Sequence, residues 1–142
     1  MSDTKKRVQA LNDALHETFD LYRLTHIAHW NVRGPLFPQL HAMFDQQYNE
    51  LWAALDVIAE RVRALGSPVD PAAFTGEEQD IPADNRKLLS SLAKAHRSLS
   101  KSLGAIEGEA TKAGDAATAD LAIERIRAHD QHAWMLEAAA EP

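Results

Sequence analysis

Apolar residues recur at steps of three and four along most of this chain, and no stretch alternates at a step of two. The strongest run is Leu40, Phe44, Tyr48, Leu51, Leu55, Ile58, Val62 and Leu65. Steps averaging 3.6 place all of these on one face of a helix, whereas a half-buried strand needs period two. The chain is therefore expected to be all-α. An earlier run, Val8, Leu11, Leu15, Phe19 and Tyr22, continues to about Arg33, where Gly34-Pro35 stops it. Pro38 suits the first turn of the second helix, and Gly66-Ser67-Pro68 ends it. A third helix is expected from Asp84, an N-cap residue type, through Leu88, Leu92, Ala95, Leu99, Leu103 and Ile106. Gly114 divides it from a fourth, which opens near Asp115 and carries Leu121, Ile126, Ala133 and Leu136.

Between the second and third helices lies a long connection, residues 66–83, punctuated by Pro68, Pro71 and Pro82 and leaving room for one short helix. Two helical hairpins joined by one long crossover make a four-helix bundle with the connectivity of the ferritin-like folds. At 142 residues and 45% hydrophobic content the chain has material for one such domain, read as 1–142, and is no disordered polymer. It has no cysteine, which excludes a disulfide framework and thiol chemistry. Seven histidines beside 21 acidic residues form a palette suited to iron, manganese or zinc. No apolar run is long enough to span a membrane, and the charged start MSDTKKRVQ lacks the core of a secretory leader, so a cytoplasmic protein is expected.

The second helix carries a polar stripe beside its apolar face. With His41 set at 0° and about 100° per residue, Asp45 falls at about 40°, Asp56 at about 60° and Glu60 at about 100°. His41 and Asp56 are roughly 22 Å apart along a straight helix, at about 1.5 Å per residue, so one chain cannot bring both pairs to one ion. A second copy can. His41 and Glu60, and likewise Asp45 and Asp56, are symmetric about the step between Glu50 and Leu51. An antiparallel identical helix then sets each histidine level with the mate's carboxylate, giving two equivalent sites at an isologous interface. Trp52 lies near the middle of this stripe, where a tryptophan suits an interface. The short hairpin brings His29, one turn before the first helix ends, to the depth of His41. The combined set is His29, His41 and Asp45 from one subunit with Asp56 and Glu60 from its two-fold mate. From spacing alone, a solvated helix face and a metal centre both remain open readings.

The segment from Thr25 to Gly66, with the blocks AHWNVRGP, F..LH..FD and D...AER, closely resembles the Dps family of mini-ferritins. The stretch TADLAIERIRAHDQHAWMLEA resembles that family's last helix, while DPAAFTGEEQDIPADN fits it poorly. The resemblance implies a hollow dodecameric shell and a ferroxidase centre at each two-fold subunit interface. All five family ligands are matched, by His29, His41, Asp45, Asp56 and Glu60. It implies iron (Fe2+/Fe3+) as the metal, oxidation of Fe(II) with hydrogen peroxide, storage of ferric mineral and protection against oxidative damage. Asp120 matches a family pore acid, and Glu124, one turn on, extends the line. Their bland reading is a solvated helix face.

Other features carry less. The chain contains no Glu-x-x-His, the signature of a di-iron site inside one bundle. His26, His129 and His132 are read as packing, and His16 and His96 carry no signal. Trp30 and Trp52 are read as packing near the ligands rather than as sinks for an oxidising equivalent. Nucleic-acid binding by this family usually depends on lysine-rich tails. Here only Lys5, Lys6 and Arg7 are offered, read as the solvated first turn of a helix, with Asp115 as an N-cap. The net charge is -6, about -72 over a dodecamer, which repels phosphate, so DNA binding is expected to be weak or absent.

Overall fold

A computed structural model describes residues 2–76 and 79–142. Four helices account for most of it: α1 (Asp3–Asn31), α2 (Phe37–Ala64), α3 (Asn85–Lys112) and α4 (Ala116–Ala140). A single 3-10 turn, Pro71–Phe74, sits in the crossover between α2 and α3. Among the described residues there is no strand. The expected all-α, ferritin-like arrangement is what the chain adopts, including the short helix in the connection.

The helix ends follow local chemistry. Ser2 caps α1 by accepting from the Lys5 N–H, and Asp84 caps α3 by accepting from the Lys87 N–H at 2.9 Å. The step from α3 to α4 turns on Gly114, whose φ of 71° lies in the left-handed region. The Asp115 N–H then donates back to the Ala110 carbonyl at 2.8 Å, satisfying an otherwise free helix-end acceptor. The α1 helix stops at Asn31, two residues short of the sequence expectation, because Val32 is extended and Gly34 takes a φ of 95°.

α1 packs along α2 and α3 along α4, and the hairpins close on each other chiefly through α1 against α3. Leu11, Leu15, Phe44, Leu51, Ile58, Leu89, Leu99, Leu103 and Leu136 are essentially buried and form the spine of the core. Each contributes about 1.5–3 kcal/mol of transfer free energy relative to leaving it exposed.

One sequence expectation needs correction. Arg7 does not belong to a solvated first turn: it is buried and its Nε donates to Asp115 Oδ2 at 3.1 Å. Asp115 is likewise more than a cap. It also accepts from Arg61 Nη2 at 2.8 Å and from the Thr118 hydroxyl at 2.6 Å. Burial alone would push its carboxyl up, but the hydrogen bonds from Thr118 and the two guanidiniums hold it below the usual carboxylate value. The reason the sequence misled is tertiary: residues 7, 61 and 115 meet only when three helix ends converge.

Candidate metal centre

Because α1 and α2 are antiparallel neighbours joined by a short turn, the last turn of α1 faces the first turn of α2. His29 and His41 meet there with rings stacked, centroids 3.7 Å apart and planes 16° from parallel. The two residues clasp each other's backbone. His29 Nδ1 lies 2.7 Å from the His41 carbonyl oxygen, and His41 Nδ1 lies 2.7 Å from the His29 carbonyl oxygen. A carbonyl only accepts, so each neutral imidazole carries its proton on Nδ1 and keeps a lone pair on Nε2. That is the tautomer a metal-ligating histidine needs, with the ring aimed by a hydrogen bond on its far nitrogen.

Asp45 follows His41 by one turn and is half-buried. The surrounding wall is aromatic. His26 is sandwiched between Trp30, with ring centroids 4.0 Å apart, and Tyr48, 3.8 Å away and nearly parallel. The Tyr22 hydroxyl and His26 Nδ1 are hydrogen-bonded at 3.0 Å. Desolvation, and then the neighbouring His29, hold His26 below the usual imidazole value.

Asp56 and Glu60 do not join this group within the chain. Both are exposed, further along α2. Among the described residues no three His, Asp or Glu side chains converge on a point that could hold an ion. One chain thus carries His29, His41 and Asp45 close to the α1–α2 turn, and elsewhere two carboxylates without a histidine. Several large apolar side chains are exposed nearby. Trp30, Trp52, Val57 and Phe74 are 63%, 57%, 49% and 44% exposed. Trp52 and Phe74 line a groove of about 530 Å³ whose wall includes Asp56. Exposed apolar area of this kind marks a contact surface. Asp120 and Glu124 stand one turn apart on the exposed side of α4.

The sequence missed a second polar cluster, inside the bundle. His96 of α3 and His129 of α4 are both fully buried, with their Nδ1 atoms 2.8 Å apart. Arg125, a donor only, reaches His129 Nε2 at 3.3 Å, so that nitrogen accepts and the His129 proton sits on Nδ1, donated to His96. Arg125 also forms a bidentate pair with Glu50, which accepts in addition from His132 Nε2 at 3.0 Å. Burial would raise the Glu50 carboxyl, yet His132 and Arg125 overturn that and hold it at about 2. The packing role expected of His129 and His132 is what the structure shows. His96 gave no signal because nothing local to it announces a partner 33 residues away.

The ferritin-like domain family matches this chain over residues 8–141. A DNA protection during starvation protein of Brevibacillus brevis is 37% identical over 128 residues, 85% of either chain. The chain belongs to the Dps family. Solved structures agree with that placement. A Dps protein from Bacillus brevis superposes with a TM-score of 0.90 at 29% identity, over 99% of both chains. The Dps protein of Vibrio cholerae O1, described as a member of a broad superfamily of ferritin-like diiron-carboxylate proteins, gives 0.89 at 28% identity, over 98% of this chain and 91% of that one. Among the described residues of this Dps-family chain, no helix is long and apolar enough to cross a membrane.

Proposed function

We propose that the 142-residue chain is a single-domain subunit of a cytoplasmic, iron-sequestering dodecameric shell. Its ferroxidase sites lie at two-fold interfaces along α2. His29, His41 and Asp45 of one subunit and Asp56 and Glu60 of the partner subunit would hold Fe(II), the substrate. The observation that carries this reading is the reciprocal His29–His41 clasp, which leaves an Nε2 lone pair on each ring, with Asp45 one turn after His41. Two nitrogens with three carboxylates suit iron: imidazole gives useful Fe(II) affinity, and carboxylate oxygen favours the higher charge of Fe(III).

Two such sites face each other across the dyad. Two Fe(II) ions give up one electron each, one hydrogen peroxide takes both with two protons, and two waters form, with no hydroxyl radical released. The ferric product is stored as mineral inside the shell, which protects the cell from both reagents. Asp120 and Glu124 are proposed to line an entry path, since a ring of like carboxylates draws cations electrostatically.

The test combines a mass measurement with anaerobic Fe(II) addition followed by peroxide. A large assembly with fast ferric absorbance is expected, and Asp56→Ala with Glu60→Ala should abolish the fast phase while the assembly persists. A monomer, or wild-type protein without a fast phase, contradicts the proposal. The alternative is a protein whose main role is physical shielding of DNA. A net charge of -6 per chain and the engagement of Arg7 with Asp115 rather than with phosphate weigh against it. A gel shift that survives roughly 150 mM salt would favour it over the ferroxidase reading.

A further inference from the structure

The outer face of α3 carries a charge opposite in sign to that of the chain as a whole. Between Asn85 and Ile106 the helix holds Arg86, Lys87, Lys94, Arg97 and Lys101 and no acidic residue, in a chain of net charge -6. Burial fixes which way the helix faces, since Leu88, Leu92, Leu99 and Leu103 pack into the core. Lys87, Lys94 and Lys101 follow one another at steps of seven. At about 100° per residue they stay within about 40° of one line, over roughly 21 Å at about 1.5 Å per residue. Ser91 and Ser98 fall between them on the same line, and all five residues are exposed. Among the described residues the three lysines form no ion pair, whereas Arg97 is held by Glu137 at 2.9 Å and Asp130 at 3.5 Å.

We propose that this stripe is a docking surface for a thin, unbranched chain of phosphates, inorganic polyphosphate. The lysine ammonium groups supply point charges about 10.5 Å apart, and the serine hydroxyls between them donate to phosphate oxygens. The width of the stripe selects the partner. It is one side chain wide, and acids border it on both sides. Glu17 and Asp20 of α1 line a hollow together with Ser98, and Asp130 and Glu137 of α4 hold Arg97. A nucleic-acid duplex laid along α3 would bring its second strand over those carboxylates. A single nucleic-acid strand fits the width, but its bases are held by stacking on aromatic side chains. The α3 helix contains no Phe, Tyr or Trp. A phosphate chain without bases needs neither the width nor the stacking.

The acidic balance of the whole chain does not forbid this. At physiological ionic strength fields fade over about 8 Å, so a thin chain lying on the stripe responds mainly to the lysines beneath it. A bulkier polyanion meets the surrounding acids as well. The face is also clear of the proposed two-fold contact, because α2 and α3 share no contact among the described residues. Docking here is therefore independent of the ferroxidase reading of α2.

The probe is inorganic polyphosphate, titrated into the metal-free protein without divalent cations at salt concentrations from roughly 50 to 200 mM. The wild-type protein should bind it, with an affinity that falls linearly in log-log form as salt rises, the mark of counterion release. A variant carrying Lys87→Gln, Lys94→Gln and Lys101→Gln should bind at least about tenfold more weakly at the lowest salt, with the salt slope reduced by about one for each lysine removed. Its size, melting temperature and Fe(II) oxidation should match wild type. Lys5→Gln with Lys6→Gln and Arg127→Gln removes the same charge elsewhere on the exposed surface and should change binding little. No binding by the wild-type protein at the lowest salt, unchanged affinity in the stripe variant, or an equal loss in the control variant overturns the proposal. So does orthophosphate that binds as tightly per phosphate as the polymer, since a stripe gains from length. Tighter binding of a duplex or single-stranded oligonucleotide of equal phosphate count overturns the choice of partner. If the triple variant fails to fold, Lys94→Gln at the centre of the stripe decides alone. A slope lower by about one supports the proposal, and an unchanged slope overturns it.

Discussion

His96 and His129 show what single residues do here that no pattern announces. Desolvation, and then the facing histidines and Arg125, hold both imidazoles neutral, well below their usual range. In the unfolded chain each takes a proton near pH 6.5. Folding therefore excludes those two protons at lower pH, so stability falls as pH drops below about 6.5, by about 1.4 kcal/mol per pH unit for each histidine. Above that pH both states are neutral and the pair contributes no slope. Glu50 acts in the same direction further down: its contribution is complete above the usual 4.5 and is lost as pH falls toward about 2. Urea unfolding of the wild-type protein at pH 7.5 and 5.5 should show a marked loss at the lower pH. A His96→Asn, His129→Gln variant, which keeps acceptors near the Nδ1 of residue 96 and the Nε2 of residue 129, should lose about two protons' worth of that slope. An equal slope in both proteins would contradict this account. The proposed ligands are the opposite case. That His29 and His41 meet was legible because helical spacing and a short hairpin fix their positions, whereas Glu50, His96 and Arg125 sit on three different helices and are joined only by packing.

At the scale of elements, the helices and their ends were readable because their causes are local. Asp84 and Asp115 cap the helices they were expected to cap, and the crossover contains its one short turn. What spacing could not supply is how ends meet ends. Asp115 ties α1 through Arg7, α2 through Arg61 and α4 through its own first turn, with the Asp115 side chain 9% exposed. Asp115→Ala removes a cap and leaves two guanidiniums short of their partner. The expected cost is about 3 kcal/mol, between the typical loss of a cap and that of a buried ion pair. Chemical denaturation with an unchanged m-value should report it. A change below about 0.5 kcal/mol would mean that the triad contributes no more than a surface pair does.

At the scale of the whole molecule, one chain folds a complete four-helix bundle, and the proposed site needs a second copy. His41 and the distal carboxylates lie on one helix but too far apart to share an ion, with the exposed Trp52 between them. The sequence displayed the symmetry of that arrangement about Glu50 and Leu51, but not the clasp that fixes the tautomers, which depends on main-chain carbonyls that no residue type encodes. The most direct test of the account is co-assembly of two defective chains. One carries His29→Ala and His41→Ala, the other Asp56→Ala and Glu60→Ala, and neither should bind Fe(II) tightly alone. Each mixed two-fold pair regains one intact site of its two, so random mixing should restore about a quarter of the wild-type high-affinity Fe(II) sites. Recovery near that fraction is the predicted result. No recovery in a properly mixed assembly, or tight binding by either variant alone, would contradict a centre shared between subunits.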